Sequence, residues 1–508
     1  MFLSKLQENL MKLKPTPWML VFLSVVLLRL SFPRPGIWPL AWVALVPFFF
    51  SLERKDTAQV FFMSFAAGYV YNVALLFWLI HVTVGGMLVL CVYLALYIAV
   101  FGLAWAYSRR YFSFGARLVF APSVWIVLEY VRAHLFTGFP WAFLSYTQTP
   151  DIIALQGADL FGSWGLSFIL VFVNIFLFEG LSAPGGLSLR SRRFLVPAAV
   201  VVVWFSYGLW RISQPVIETC PLKVAVVQGN IPQEIKWVER FSEGIFRKHA
   251  LLSELTVLKE GPGLVIWPET SFADYLEAGV NDRELSDLAA QLQVPLVIGA
   301  VRFEDMHYYN SAFLYDAQGR LEMVHDKMHL VPFGEYLPGR RYLHFLENII
   351  PIEDFTPGDD FHIFSVPASC PGLRFGILVC FEDIFPELSR TFVARGADFL
   401  VNMTNDGWFG DTSSPFQHAQ ASVLRAVENR VYVVRAANTG VSCIIDDAGR
   451  IVAGVRDADG KETYVRGEAA AVIGATRRTS LYTRVGDVLI LIVSFVIFGM
   501  IVWRRRRS

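Results

Sequence analysis

"GILVCFEDIFPE" (376–387) reads as a buried strand that halts at a cysteine and runs on into two acids. The run before Cys380 is apolar and uncharged, as a strand covered on both faces requires. Similar runs recur: "LKVAVVQGN", "GLVIWPE", "VPLVIGAV" and "DFLVNMTND". Between them lie polar helical stretches such as 238–259 and 415–430. Strands interleaved with helices predict an α/β sandwich over 212–486. A thiol at the carboxyl end of such a strand stands where α/β sheets gather ligands and catalytic groups.

The rest of the chain is of another kind. With 508 residues, 55% hydrophobic, 15% aromatic and only 17% charged, the sequence is too apolar for an ordinary soluble enzyme. The net charge of zero points to no nucleic-acid partner. Five cysteines, at 91, 220, 370, 380 and 443, have neither the density of a disulfide scaffold nor the spacing of a metal site. No metal is therefore expected, and Cys220, Cys370 and Cys443 are expected as free buried thiols, a disulfide among them being the alternative.

Eight apolar stretches predict membrane spans, at 17–32, 38–52, 58–82, 87–107, 117–137, 164–181, 194–211 and 487–503. The first is read as an anchor and not a signal peptide, because "RLSFPRPG" offers no small-residue cleavage site. Basic residues then set the orientation. Lys5, Lys12 and Lys14, then Arg54 and Lys55, Arg109, Arg110 and Arg117, Arg190, Arg192 and Arg193, and the tail Arg504–Arg507 fall on one side. The opposite loops "HVTVGG" and 133–163 have no Lys or Arg, and Arg34 is the one exception on that side. Both termini are expected in the cytoplasm. The domain 212–486 follows an odd number of spans and is expected on the far side, between a seven-span region (1–211) and an eighth span with a basic tail (487–508).

Three residues end strand-like runs within that domain. Glu269 follows "GLVIWP", Lys327 follows "RLEMVHD" and Cys380 follows "GILV". A neighbouring ammonium lowers a thiol's pKa toward the reactive thiolate. A carboxylate can take the thiol proton and return it to a leaving group. The ammonium can also face the oxyanion of a tetrahedral intermediate. Together these groups suit acyl transfer through a thioester.

The stretches "WPET", "DKMHLVPFGEYLP" and "GILVCFEDIFPE" resemble the Glu-Lys-Cys sites of the nitrilase, or carbon–nitrogen hydrolase, superfamily. Its spans make the chain similar to one branch of it, the bacterial apolipoprotein N-acyltransferases. "VVQGNIPQEIKW" (226–237), "NDGWFGDTSSPFQHAQ" (405–420) and "TGFPWAFLSYTQ" (137–148) agree. The resemblance covers nearly the whole chain and is weakest over the first two spans. It implies an eight-span α-helical membrane domain carrying an α-β-β-α sandwich. Cys380 would take an acyl chain from a membrane phospholipid and pass it to the amino-terminal amine of diacylated apolipoproteins. Glu269 would be the general base and Lys327 the stabiliser of the tetrahedral intermediates. Glu335 matches a second acid beside them, and Trp237, Phe381, Glu382 and Trp408 match positions used for substrate or for support. Members often carry Tyr directly after the cysteine; Phe381 stands here, so a hydroxyl at that position is dispensable or replaced.

The implied enzyme needs no cofactor, since an existing ester supplies the activated acyl group. It is expected as a monomer in the bacterial inner membrane, its catalytic domain periplasmic. Both substrates are lipids, and lifting an acyl chain into water costs about 0.8 kcal/mol per CH₂, so a catalyst held at the membrane avoids that cost. The aromatic loop 133–163 and the stretch "YLHFLENIIPIEDF" (342–355) suit lipid entry, the second as a lid. Glu129 and Arg132, three apart on one span, are expected to neutralise each other, a headgroup contact being the alternative. Two competing readings are a membrane-tethered amidase with water as acceptor, and a transporter or receptor carrying an inert sensor domain.

Overall fold

The computed structural model describes residues 15–183, 192–216, 218–277, 282–338, 340, 354–366, 372–476 and 478–506. The amino-terminal lysines, Arg190, Cys370, Arg507 and all of the expected lid except 354 and 355 lie outside these residues. The chain divides into two units, Met1–Arg211 with Asp487–Ser508, and Ile212–Gly486.

The first unit is helical. Six helices among the described residues are long and apolar enough to cross a membrane: Thr57–Leu75, Val84–Tyr111, Phe114–His134, Ala158–Ser182, Phe194–Ser213 and Val488–Arg505. The first two expected spans are shorter. Pro17–Ser31 has 15 residues, roughly 22 Å at 1.5 Å per residue, against a hydrocarbon core of about 30 Å. The stretch 38–52 breaks into a 3₁₀ turn, Trp38–Trp42, and a short helix, Val46–Ser51, each with a proline at its start. The expected span 58–82 also stops early, at Leu75, and continues as a 3₁₀ turn over Phe77–His81.

The aromatic loop 133–163 differs from an interfacial belt. Trp141, Phe143 and Tyr146 are buried, with Phe143 packed on Trp164 at 4.8 Å and on Tyr146 at 5.4 Å. Non-helical backbone at membrane depth needs partners inside the protein. The Ser145 N–H donates to Ser167 Oγ at 3.1 Å, and the Gln148 side chain accepts from Trp42 Nε1 at 2.8 Å.

The second unit is a sandwich of two sheets. The first holds β1 (Glu218–Gln228), β2 (Leu264–Ile266), β3 (Tyr275–Leu276), β4 (Leu296–Glu304), β5 (His307–Tyr315) and β6 (Leu321–Asp326), closed by β13 (Gly467–Thr476). Its order is β13-β1-β2-β4-β5-β6, with β3 paired to the end of β4. The second holds β7 (Phe364–Ser365), β8 (Arg374–Val379), β9 (Phe399–Thr404), β10 (Tyr432–Ala437), β11 (Cys443–Ile445) and β12 (Ile451–Gly454), in sequential order. β1, β2 and β4 run parallel, as do β8, β9 and β10.

Side chains alternate across each strand, so each sheet feeds two cores. Val224 and Val226 of β1 meet Ile377 and Val379 of β8 and Val401 and Met403 of β9 in the layer between the sheets. Val227, Val265 and Ile298 point the other way, toward Leu252 of helix α1 (Ser242–Glu260) and Leu285 and Leu288 of helix α2 (Arg283–Leu292). Helices α3 (Pro386–Ala394) and α4 (Ser414–Asn429) cover the second sheet. The layers therefore run α-β-β-α, and the carboxyl ends of β2, β6, β8 and β9 present Glu269, Lys327, Cys380 and Thr404.

One cysteine expectation is corrected here. Cys220 is disulfide-bonded, whereas Cys91, Cys380 and Cys443 are free. A cross-link is what an oxidising compartment permits, and it is the alternative that the sequence left open for these cysteines.

Candidate active site

Cys380 sits where β8 turns into a 3₁₀ helix, and its backbone takes φ 58°. A non-glycine residue in that region is held by its surroundings and marks a sharp strand-to-helix elbow. Two neighbours fix it. Asn402 of β9 donates to the Cys380 carbonyl at 2.8 Å. Glu382, fully buried, accepts the N–H groups of Val379, Met328 and His329 at 2.7, 2.8 and 2.9 Å. Its carboxylate thereby joins the elbow to the segment after Lys327. Burial pushes the Glu382 carboxyl up to about 7 against those three hydrogen bonds.

The other groups converge around one ammonium. Lys327 Nζ lies 2.9 Å from Glu335 Oε1 and 3.8 Å from Glu269 Oε1. Burial pulls the Lys327 pKa down, but the charges of Glu335, Cys380 and Glu269 outweigh it and hold it above the ordinary lysine value. The lysine is therefore a fixed cation. Its Nζ also stands 5.4 Å from the centre of the Phe381 ring.

The thiol departs from expectation. Burial, then the negative charge of Glu269, raise the Cys380 pKa; Lys327 and a 3.5 Å hydrogen bond from Thr404 Oγ1 oppose them and lose. The resting sulfur keeps its proton, so a base must remove it as the reaction begins.

The tryptophans stand apart from this cluster. Trp237 caps a short helical turn, Gln233–Lys236, and is 46% exposed; Trp408 lies in the 3₁₀ turn Asp406–Phe409 and is 55% exposed. Large apolar rings open to solvent on loops suit substrate contact better than support.

Several partners escaped the sequence reading. Asn310, in the middle of β5, donates from one Nδ2 to Glu269 Oε1 at 2.7 Å and Glu335 Oε1 at 2.9 Å. A polar residue in an apolar strand run was its only signal. Lys236, buried beside Trp237, donates to the Glu269 carbonyl at 3.1 Å. Burial draws its pKa down to about 8 against the charges of Glu269 and Cys380.

Beneath the elbow lies a buried ionic network. Asp383 takes His418 Nε2 at 2.9 Å and Arg435 at 3.0 Å; Asp406 takes His418 Nδ1 at 2.8 Å and Arg435 at 3.2 Å. Mutual attraction outweighs burial, raising the pKa of His418 and lowering those of both aspartates. Two acids and two bases neutralise one another and tie the elbow to the Trp408 turn.

Residues 223–478 match the carbon–nitrogen hydrolase family, and residues 24–176 match the apolipoprotein N-acyltransferase amino-terminal domain. The apolipoprotein N-acyltransferase of Geobacter metallireducens is 39% identical over 491 residues, 93% of this chain and 92% of that protein. That of Allorhizobium ampelinum is 35% identical over 71% of this chain and 70% of its own length. The Rhodopseudomonas palustris protein of the same name is 31% identical over 84% and 80%. A thiol at a sheet end in one unit, an apolar helical bundle in the other, and relatives matching across both place the whole chain in a single lineage: it belongs to the apolipoprotein N-acyltransferase family of carbon–nitrogen hydrolases.

Proposed function

We propose that the chain completes lipoprotein maturation: it transfers an acyl chain from a membrane phospholipid, through a thioester on Cys380, to the amino-terminal amine of S-diacylglyceryl-cysteine in apolipoproteins. The observation that carries the chemistry is the Lys327 ammonium, which lies within 4 Å of both Glu335 and Glu269 and senses the charge of Cys380.

In the first half-reaction Glu269 takes the Cys380 proton as the sulfur attacks the ester carbonyl. The oxyanion that forms faces Lys327, whose charge is already in place. Collapse breaks the C–O bond, Glu269 returns the proton to the departing oxygen, and a lysophospholipid leaves. In the second, the acceptor amine attacks the thioester carbonyl. Glu269 takes a proton from that nitrogen, the C–S bond breaks, and the sulfur leaves with the proton. An amide is formed and the thiol restored. Glu335 accepts from Lys327 and Asn310, which keeps the ammonium aimed and leaves Glu269 free for proton transfer.

The protein is a bacterial inner-membrane protein. We place the catalytic unit on the periplasmic side and both termini in the cytoplasm, a reading supported by the arginine-rich ends of the helices and by the disulfide at Cys220. One chain supplies every group named, so a monomer suffices. The amidase reading, with water as acceptor, is disfavoured by relatives that match the membrane unit as well as the sandwich.

The test is mass spectrometry of the purified chain mixed with phospholipid. An acyl mass on the Cys380 peptide, discharged by a diacylglyceryl-cysteinyl peptide faster than by water, is the expected result. Discharge by water at the same rate, or no adduct on Cys380, overturns it.

A further inference from the structure

Within the membrane unit, the helices Thr57–Leu75, Val84–Tyr111 and Phe114–His134 line a cavity of about 50 Å³. That is room for several waters or one small polar group, since a single water needs roughly 10–15 Å³ by this measure. Its walls are mostly apolar, but Tyr71, Asn72, Tyr97, Glu129 and Arg132 also line it. Tyr71 sits near the end of its helix, and Glu129 and Arg132 near the end of theirs. Those ends are opposite to the ones bearing Arg109, Arg110 and Arg117, so the polar part of the cavity lies in the half of the bundle away from the arginines.

The two charged groups do not satisfy each other. Among the described residues Glu129 and Arg132 make no ion pair, contrary to the expectation for residues three apart. Glu129 Oε1 accepts the Leu144 N–H at 2.8 Å, while Oε2 has no partner although the residue is only 6% exposed. The Arg132 guanidinium lies over Phe143 at 5.2 Å, and its Nε and Nη2 are buried without partners. Those two nitrogens form one edge of the guanidinium, the fork that takes two oxygens of a phosphate or carboxylate. A free acceptor oxygen and a free two-donor edge, one turn apart on one helix, are complementary to a ligand carrying an anion and a cation a few bonds apart. Ionisable groups at membrane depth mark functional sites by default, and here each keeps a buried polar edge without a hydrogen-bond partner. Apolar walls inside a membrane bundle select the lipid form of such a ligand.

We propose that this cavity binds the zwitterionic headgroup of a phospholipid, its phosphate on the Arg132 fork and its primary ammonium on Glu129 Oε2. The inference deepens the reading that phospholipids are the acyl donors, and rests on it for the lipid's role. It assigns the headgroup a seat that no catalytic residue provides.

Binding is read on the full-length Cys380→Ala protein, so that catalysis plays no part. The delipidated protein is offered phosphatidylethanolamine or phosphatidylglycerol with identical chains, and retained lipid is counted by native mass spectrometry. Phosphatidylethanolamine should be retained at least fivefold better. Glu129→Gln should bring that ratio near one without reducing phosphatidylglycerol, and Arg132→Gln should reduce both at least tenfold. Equal retention of the two lipids before mutation, or ratios unmoved by both variants, overturns the proposal and leaves a cavity holding water alone. Should a variant misfold, phosphatidylethanolamine with a photoreactive headgroup settles the matter on the otherwise unaltered protein. Cross-links within 84–111 or 114–134 support the seat, and cross-links confined to other segments overturn it. Thioester formation by the wild-type chain, measured separately, shows whether donor chemistry stands when the headgroup seat fails.

Discussion

Asn310 uses one amide nitrogen to hold two carboxylates that would otherwise repel each other, at 2.7 Å from Glu269 and 2.9 Å from Glu335. Hydrogen bonds to charged groups contribute about 1.5–3 kcal/mol each. Asn310→Leu removes both and leaves Glu269, the proposed base, and Glu335 without the donor that holds them together. The acyl-transfer rate should fall about a hundredfold in single-turnover assays. An unchanged rate would deny the asparagine this role. Lys236 makes a separate prediction. Its pKa is lowered from 10.5 to about 8, so between those values the unfolded chain binds the extra proton and the folded chain does not. Stability from this group therefore rises with pH across that window. Below pH 8 the buried charge costs about 3 kcal/mol, and above 10.5 it costs nothing. Lys236→Met should melt higher than wild type at pH 7, with the gap closing as pH approaches 10. A constant gap in thermal melts of the full chain would contradict this account. Glu269, Lys327 and Cys380 stood out in sequence because each ends a strand-like run. Asn310 and Lys236 were not, because their partners come from other strands.

At the scale of elements, the position of Glu269 depends on a neighbour without a side chain. A Cβ at Gly299 of β4 would lie 2.6 Å from the Pro268 carbonyl, 2.7 Å from Thr270 N and 2.8 Å from Glu269 Cα. Gly299→Ala must push the Glu269 turn away from β4. Overpacking of this kind costs about 1–3 kcal/mol, and displacement of a catalytic group by about 1 Å costs roughly a hundredfold in rate. The variant should stay folded and lose most of its transfer rate, by thermal melt and single-turnover assay; full activity would mean that the turn is not positioned by β4. Helix α4 shows where sequence reading stopped. Its composition suggested a polar covering helix, yet nearly every side chain is buried. The reason is mutual satisfaction: His418 and Ser422 bond Asp383, and Arg425 pairs with Glu428 at 2.8 Å. A polar residue satisfied by another buried polar residue has the same composition signal as one satisfied by water. Asp383→Asn tests the network. It leaves Arg435 and His418 with one anion between them, and breaking a buried pair costs about 3–5 kcal/mol. The melting temperature should drop by several degrees and activity should fall with it. An unchanged melt would show that the network carries no stability.

At the scale of the molecule, hydropathy located the apolar helices but not their exact character. Prolines 39 and 47 and the short run 17–31 escape a window that measures only apolarity, so two of the expected spans are short helices. Charge carries the orientation. At one end of the bundle Arg109 bonds Glu53 at 2.9 Å and Glu179 at 3.1 Å, and Arg117 bonds Glu179 at 2.6 Å. In the proposed orientation, basic residues kept on the cytoplasmic side put that end inside, and a disulfide at Cys220 fits a sandwich kept outside, in an oxidising space. Labelling separates this from the inverted arrangement. Met306, at the β4–β5 turn, is 84% exposed, and Arg54 is exposed between two helices of the membrane unit. In a Cys380→Ala background, a membrane-impermeant maleimide applied to spheroplasts should modify Met306→Cys at once. It should reach Arg54→Cys only after the membrane is broken. The converse pattern would put the thioester on the cytoplasmic face, where the charge rule forbids it and where reducing conditions would open the Cys220 bond. Labelling of both sites in intact spheroplasts would mean mixed insertion, and the charge asymmetry would then be too weak to fix one topology.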